Sequence, residues 1–505
     1  MSLAPYNEQM GQIADLLCAI NVLHWDARTL MPAAGAAARG KQIATLTGLA
    51  RDLATGEPFR AALDAASEVT AALPADDLSR RAIDQTRLAV ETLRRIPKSL
   101  IVEAADLAAR AESAWVEARR TNDFDGFAPY LERTVALQRQ RAEAIGYAEH
   151  PYDALVGQYE PGMTLARLDT LYATLRAGLL PLIERARSLP EPRLDLLRGP
   201  FPIPDQKAFA SAMAARMGYD FARGRLDDTA HPFEISFDRT DVRITGRFRD
   251  TWLPSGFFGV WHEAGHGMYE QGLDPAFSRS IFATDLVGLY AVGGASFGMH
   301  ESQSRLWENR VGRSRRFWGL HCAEARAAFP RPLADADADS LWRAVNHVAP
   351  GLIRVEADEL TYDLHVIFRT DLEAALMAGD LAVRDLPGAW SDMVRRDLGL
   401  DVPNHRDGVL QDVHWAAGLM GSFPTYTLGN VMSSQLFAAA GRDAGVTSGL
   451  ERGDYAPLAA WLGAHVHRHG RSLTPDAILR RATGSSLDPA PYLADLTRKV
   501  DQLAA

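Results

Sequence analysis

Lysine is almost missing from this chain. Of its 54 basic residues only Lys41, Lys98, Lys207 and Lys499 are lysines, which leaves 50 arginines. The bias accompanies a high alanine content and reads first as compositional. Beyond that, a guanidinium holds carboxylates by paired contacts that an ammonium makes poorly. Cysteine is scarcer still: Cys18 and Cys322 lie far apart and no CxxC pair exists. Two thiols cannot staple a chain of 505 residues, so a disulfide framework and a sulfur-rich metal site are both excluded. A reducing, cytoplasmic setting is expected, with both cysteines serving as small apolar residues. No basic segment followed by an apolar run opens the sequence, so no signal peptide is expected. Nor is there a run of about 18 uncharged apolar residues, which argues against a membrane span. A formal net charge of −10 argues against nucleic acid or anionic lipid as partner.

What is present is ordinary globular material, 47% hydrophobic and 23% charged. Length alone suggests about three domains. The dominant period is helical: Ile13, Leu16, Leu17, Ile20 and Leu23 share one face, and Leu168, Leu171, Leu175 and Leu182 share another behind Thr164, a helix-capping residue. No fixed-period repeat is found. Prolines at 190, 192, 200, 202 and 204 break the helical pattern between Ser188 and Gln206, predicting an extended surface crossing. Strand alternation occurs once, in Phe233, Ile235 and Phe237, then Val242, Ile244 and Phe248 beyond a polar turn, predicting a hairpin or small sheet. Its edge could hold an extended peptide by main-chain hydrogen bonds.

The chemistry concentrates just downstream. Residues 255–271 form an apolar helix containing His262-Glu263-Ala264-Gly265-His266, an HExxH pattern. Residues four apart stand one above the other on a helix, so both imidazoles can reach one Zn²⁺ ion. Glu263 projects beside them, placed to take a proton from metal-bound water. With 14 histidines the pattern arises by chance in roughly one such chain in fifty. The flanking Phe257, Phe258, Val260, Trp261 and Met268 mark the helix as buried, and two unpaired histidines are costly to bury without a ligand. Gly265 and Gly267 each weaken a helix by about 1 kcal/mol relative to alanine, which points to close approach by another backbone or a substrate.

A third ligand is required. Glu270 lies on the same face but about 6 Å of rise beyond His266, too far to share the ion. The extended HExxHxxGxxH pattern fails, because Tyr269 and Gly272 occupy its last two positions. The ligand must come from another helix, and spacing leaves His300, Glu301, Asp285 and Glu308 open.

Several stretches taken together resemble the carboxypeptidase Taq family of metallocarboxypeptidases. They are His231-Pro232-Phe233, Asp241-Val242-Arg243-Ile244-Thr245, the HExxH segment, and His300-Glu301-Ser302-Gln303. Ile353-Arg354-Val355-Glu356-Ala357-Asp358 and Gly408-Val409-Leu410-Gln411-Asp412-Val413-His414-Trp415 follow, and Trp25-Asp26 with Met31-Pro32 resembles the family's opening. The resemblance implies a mainly α, saddle-shaped single domain over residues 1–505 with a deep cleft, similar to the neurolysin and angiotensin-converting enzyme group. Residues 1–200 would form the N-terminal helical part of the cleft and 207–505 the part carrying the metal, with a small β-sheet beside the HExxH helix. It also implies a homodimer with one ion per subunit and Glu301 as the third ligand.

The implied activity is release of single amino acids from the C-terminus of peptides, with Glu263 as general base. Tyr426, with His414 twelve residues before it, is assigned to the oxyanion because related helical zinc peptidases use a similarly spaced pair. A free C-terminal carboxylate calls for a guanidinium: Arg354 is the first choice and Arg243 the second, each otherwise an ordinary ion-pair partner. His231 joins them as a substrate-binding residue through the same resemblance. Co²⁺ and Mn²⁺ suit a His-His-Glu set as well as Zn²⁺ does. The rivals are a metallo-endopeptidase or dipeptidase with the same metal site, and a non-catalytic helical binding protein. His465, His467 and His469 alternate on what reads as a helix, which scatters them around the axis rather than into a second metal site. Arg94-Arg95 and Arg119-Arg120 read as solvated helix faces.

Overall fold

The computed structural model describes residues 2–505 and is mainly α, with two small sheets. No helix among the described residues is long and apolar enough to cross a membrane. The chain forms two compact units, each gathered from three stretches. One comprises residues up to Arg94, Pro192–Val345 and Met432–Asp488; the other comprises Arg95–Glu191, Asn346–Val431 and Pro489–Ala505.

In the first unit the expected opening helix runs from Ala4 to Thr29 and buries Tyr6, Met10, Ile13, Ala14, Leu17, Ile20 and Trp25. Leu16 and Leu23 lie on the margin of that face, half-buried. Asn21 fastens the helix to the sheets, its side-chain amide donating to the carbonyls of Ser236 (2.9 Å) and Ala291 (3.0 Å). The predicted hairpin is β2 (Glu234–Asp238) against β3 (Asp241–Gly246). A third strand, β1 (Leu226–Asp228), lies parallel to β3 on its other side. With the sequence Leu-Asp-Asp it is too short and polar to carry a strand signal. A two-stranded ribbon pairs β4 (Thr284–Asp285) with β5 (Tyr290–Ala291).

The HExxH helix spans Pro254–Gln271 and packs against β3 on one side and helix Phe297–Arg305 on another. Its glycines do what the sequence suggested. A Cβ on Gly265 would stand 2.5 Å from the Gln303 carbonyl oxygen and 2.6 Å from the Ser304 Cα, so the two backbones touch there. A Cβ on Gly267 would stand 2.7 Å from the Tyr219 ring and 3.4 Å from Ile244. Beyond Arg305 the chain widens into a fully buried π-type turn, Leu306–Gly312. The expected extended crossing between Ser188 and Gln206 ends early: it makes one 3-10 turn, Leu194–Leu197, buries Leu196, Leu197 and Phe201, and enters a helix at Ile203 with Pro204 in the first turn, where proline costs no hydrogen bond. The seven residues between Pro192 and Pro200 leave room for the 3-10 turn.

In the second unit helix Leu165–Arg187 buries Leu168, Leu171, Leu175, Leu179 and Ile183, with the Thr164 hydroxyl accepting from the Arg167 N–H. Buried carboxylates tie this unit together. Asp363 accepts from Thr427 (2.8 Å), Asn430 (2.8 Å) and the Tyr492 hydroxyl (2.6 Å), joining three helices. Glu373 accepts from the Tyr152 hydroxyl (2.7 Å), the Trp415 indole (2.9 Å) and the Gly421 N–H (2.9 Å).

The backbone contact at Gly265 makes a direct prediction. Gly265→Ala must separate two helices, because backbone atoms cannot rotate away as a side-chain tip can. It should destabilise the protein by about 1–3 kcal/mol, the usual range for overpacking, read as a lower urea midpoint. A variant as stable as wild type would show that the helices are not in contact there.

Candidate active site

Three predicted ligands meet in the first unit. Donor atoms of His262, His266 and Glu301 all lie within 4.8 Å of one another. The imidazole Nε2 atoms stand 3.5 Å (His262) and 3.3 Å (His266) from the Glu301 Oε2. Two nitrogens and one carboxylate oxygen facing a common point are a fitting donor set for a divalent transition metal. The outer ring nitrogens are engaged elsewhere: His262 Nδ1 meets Glu308 Oε2 at 2.9 Å and His266 Nδ1 meets His300 Nδ1 at 2.5 Å. Both Nε2 atoms are thereby left to face inward. Of the four candidates that spacing left open, Glu301 takes the inward place and Glu308 stands behind His262. His300 stands behind His266, and Asp285 accepts from the Val287 and Gly288 N–H groups instead.

The electrostatics suit this arrangement. Burial opposes charge on Glu301, but Arg305 (2.7 Å) and the two imidazoles hold its carboxyl far below the usual range. Glu308 is likewise held down against burial by Arg305 and His262. Burial pushes His266 down to about 3, leaving it neutral with a lone pair to give. Burial would lower His262 too, but Glu301 and Glu308 outweigh it and raise its pKa. Glu263 is only 6% exposed, and burial pushes its carboxyl up to about 7. A cation held between the imidazoles would pull it back toward the ionised form.

Three further predicted residues, Arg354, His414 and Tyr426, belong to a polar cluster in the second unit. Arg354, 6% exposed, spends its Nε and Nη2 on Asp412 Oδ1 (3.1 and 2.9 Å) and its Nη1 on the Tyr362 hydroxyl (2.9 Å). Asp412 also accepts from Arg369 Nε at 2.7 Å, and the two cations overcome burial to keep it ionised. His414 Nε2 lies 3.0 Å from the Tyr426 hydroxyl, and burial, aided by Arg354, pushes this histidine down to about 3. Arg354 also stacks over the Tyr426 ring at 5.1 Å.

Two other predicted residues sit in the first unit. Arg243 is paired with Asp241 through both of its nitrogens (2.9 and 2.8 Å) and stacks on Trp25 and Phe237. His231 is exposed just before β2. Cys322 is buried and Cys18 half-buried, both as free thiols. His467 follows the end of a helix at His465, where it is buried and meets Gln303 Oε1 at 2.8 Å. Arg369 was missed by sequence reasoning. Its only local signal was an arginine directly after the apolar run Val366-Ile367-Phe368.

The family model for carboxypeptidase Taq (M32) metallopeptidases matches residues 5–500. The chain belongs to that family. It is similar to thermostable carboxypeptidase 1 of Thermus thermophilus, 41% identical over 489 residues and covering 94% of this chain and 93% of the relative. Carboxypeptidase 1 of Bacillus subtilis is 37% identical, with 96% and 95% covered. Among solved structures, the M32 carboxypeptidase of Deinococcus radiodurans superposes with a TM-score of 0.93 at 41% identity, covering 99% of this chain and 98% of that one. The protein is a metallocarboxypeptidase, an enzyme that acts on peptides and requires a metal ion.

Glu373 yields a prediction for this unit. Burial pushes its carboxyl up to about 7, only partly offset by the Gly421 N–H, Tyr152 and Trp415. The folded chain therefore binds this proton more tightly than the unfolded chain. As pH rises from the ordinary glutamate value of 4.5 to about 7, wild type should lose stability relative to Glu373→Gln. The loss is at most about 1.4 kcal/mol per pH unit, and the gap should be constant above about pH 8. Urea midpoints of both proteins across that range check it; a gap independent of pH would contradict it.

Proposed function

We propose that His262, His266 and Glu301 hold one Zn²⁺ ion per subunit and that Glu263 is the general base of peptide hydrolysis at the C-terminus. The convergence of two Nε2 atoms and one carboxylate oxygen beside a buried glutamate carries this reading. When bound, the ion supplies Lewis acidity to the attacking water and to the scissile carbonyl. Glu263 takes the proton from that water, for which its carboxyl must start ionised beside the bound cation, and returns it to the leaving amine.

Tyr426 donates to the developing oxyanion. Its hydroxyl is held in place by His414 Nε2 at 3.0 Å, and burial keeps that histidine neutral. Arg354 receives the terminal carboxylate through the outer hydrogens of its Nη1 and Nη2, its other edge being fixed by Asp412. Arg243, oriented by Asp241, and the exposed His231 are further substrate contacts. Co²⁺ and Mn²⁺ are accepted by the same donors. The enzyme is a cytoplasmic homodimer in which residues 1–505 form one catalytic domain, residues 1–200 building the N-terminal part of the cleft and 207–505 the part with the metal.

Glu263→Gln should retain the metal and lose at least about a hundredfold in kcat, the low end for a general base. Metal content by mass spectrometry with turnover on a free-acid dipeptide and tripeptide series checks it. Substantial activity with metal bound would reject Glu263 as base. Peptides with an amidated C-terminus should be cleaved about 10- to 100-fold more slowly than free acids, the worth of a charge-assisted pair. Arg354→Met should abolish that difference. Equal rates on acid and amide in wild type would remove the clamp.

A further inference from the structure

His262 finds a carboxylate behind it directly, whereas His266 finds a second imidazole. His266 Nδ1 and His300 Nδ1 are hydrogen-bonded partners, and His300 Nε2 lies 2.8 Å from Glu270 Oε1. Glu270 is 2% exposed and His300 8%. The Glu270 carboxylate is purely an acceptor here. The Gly293 N–H (3.0 Å to each oxygen), the Gly294 N–H (3.1 Å) and the Ser236 hydroxyl (3.1 Å) all point at it. Glu234, the other carboxylate nearby, stands 4.0 Å from His300 Nε2, outside hydrogen-bond range.

The polarity of this chain has one solution compatible with a metal on His266. With Nε2 giving its lone pair to the ion, Nδ1 must carry the hydrogen. The hydrogen needs an acceptor, so His300 Nδ1 must be bare. The single hydrogen of His300 then sits on Nε2, where Glu270 accepts it. If His300 carried its hydrogen on Nδ1 instead, His266 Nδ1 would become the acceptor. The hydrogen of His266 would then move to Nε2 and block the metal.

We infer that His300 and Glu270 are positioning residues that fix the tautomer of His266 through a two-imidazole relay and so tighten metal binding. The inference rests on His262, His266 and Glu301 being the ligands. Gly294 offers a way to disturb the relay without removing any donor or acceptor, since a Cβ there would stand 2.4 Å from His300 Cδ2. Gln at 300 preserves the polarity: its carbonyl can accept from His266 and its amide can donate to Glu270. Leu at 300 fills similar space and can do neither.

The test uses the full chain stripped of metal, titrated with Zn²⁺ against a chromophoric chelator and, separately, with Co²⁺ followed by its visible absorption. Wild type should bind one ion and His266→Ala should not; failure of that pair sinks the ligand assignment itself. Given that pair, His300→Leu should bind Zn²⁺ about 10- to 100-fold more weakly, the usual effect of losing a group behind a ligand histidine, and should shift the Co²⁺ bands. His300→Gln should stay within about threefold of wild type. Gly294→Ala should fall between them. Wild-type affinity and spectrum in His300→Leu would overturn the relay, as would Gln and Leu weakening binding equally. If His300→Leu does not fold, the order of His300→Gln above Gly294→Ala in Zn²⁺ affinity supports the relay and any other order overturns it.

Discussion

The contact on which the candidate metal centre depends is between two backbones. Where the HExxH helix crosses helix Phe297–Arg305, Gly265 lets the Gln303 carbonyl and the Ser304 Cα approach with no side chain between them. Glu301 sits one turn from that crossing, and its carboxylate reaches both imidazoles at 3.3–3.5 Å. A larger residue at 265 would move the whole second helix, and with it Glu301, His300 and the turn bearing Glu308. The loss of helix propensity at two glycines thus converts into a short distance between elements that no local interaction could set.

The interior of each unit is ionic, and several of its buried carboxylates are supplied with donors. Glu301 and Glu308 share Arg305, Glu270 gathers two backbone N–H groups and a hydroxyl, and Asp363 draws in three helices. An unpaired buried charge is far more damaging than a paired one is helpful, so such groups specify where their neighbours must be. Both units use this device: in the first it orients the candidate metal ligands, and in the second it anchors the loop between Trp415 and Gly421 on Glu373.

Much of this was legible in the sequence, for reasons that are local. The four-residue spacing of His262 and His266 holds on any helix, and the apolar flanks guaranteed that a helix would form and be buried. Gly265 and Gly267 announced close approach because nothing else explains glycine in such a helix. What could not be read depends on packing. Spacing could not choose Glu301 over Glu308, since both stand on the chain segment that faces the imidazoles and only the crossing geometry assigns them. The strand Leu226–Asp228 exists because β3 offers it an edge, not because its residues favour extension. His467 looked scattered on a continuing helix, but the helix stops at His465 and the chain turns it inward to Gln303. The family resemblance supplied Glu301, Tyr426 and Arg354, where residue patterns alone left the choice open.

Asp412 lies between two buried arginines and can neutralise only one of them. Arg354 and Arg369 are 6% and 0% exposed, so the surplus positive charge is poorly screened by water. The cluster therefore carries a standing appetite for an anion, present before any peptide arrives. On the role proposed for Arg354, small anions in the medium compete with the peptide carboxylate, and the ionic make-up of a buffer becomes part of the effective affinity rather than a neutral background.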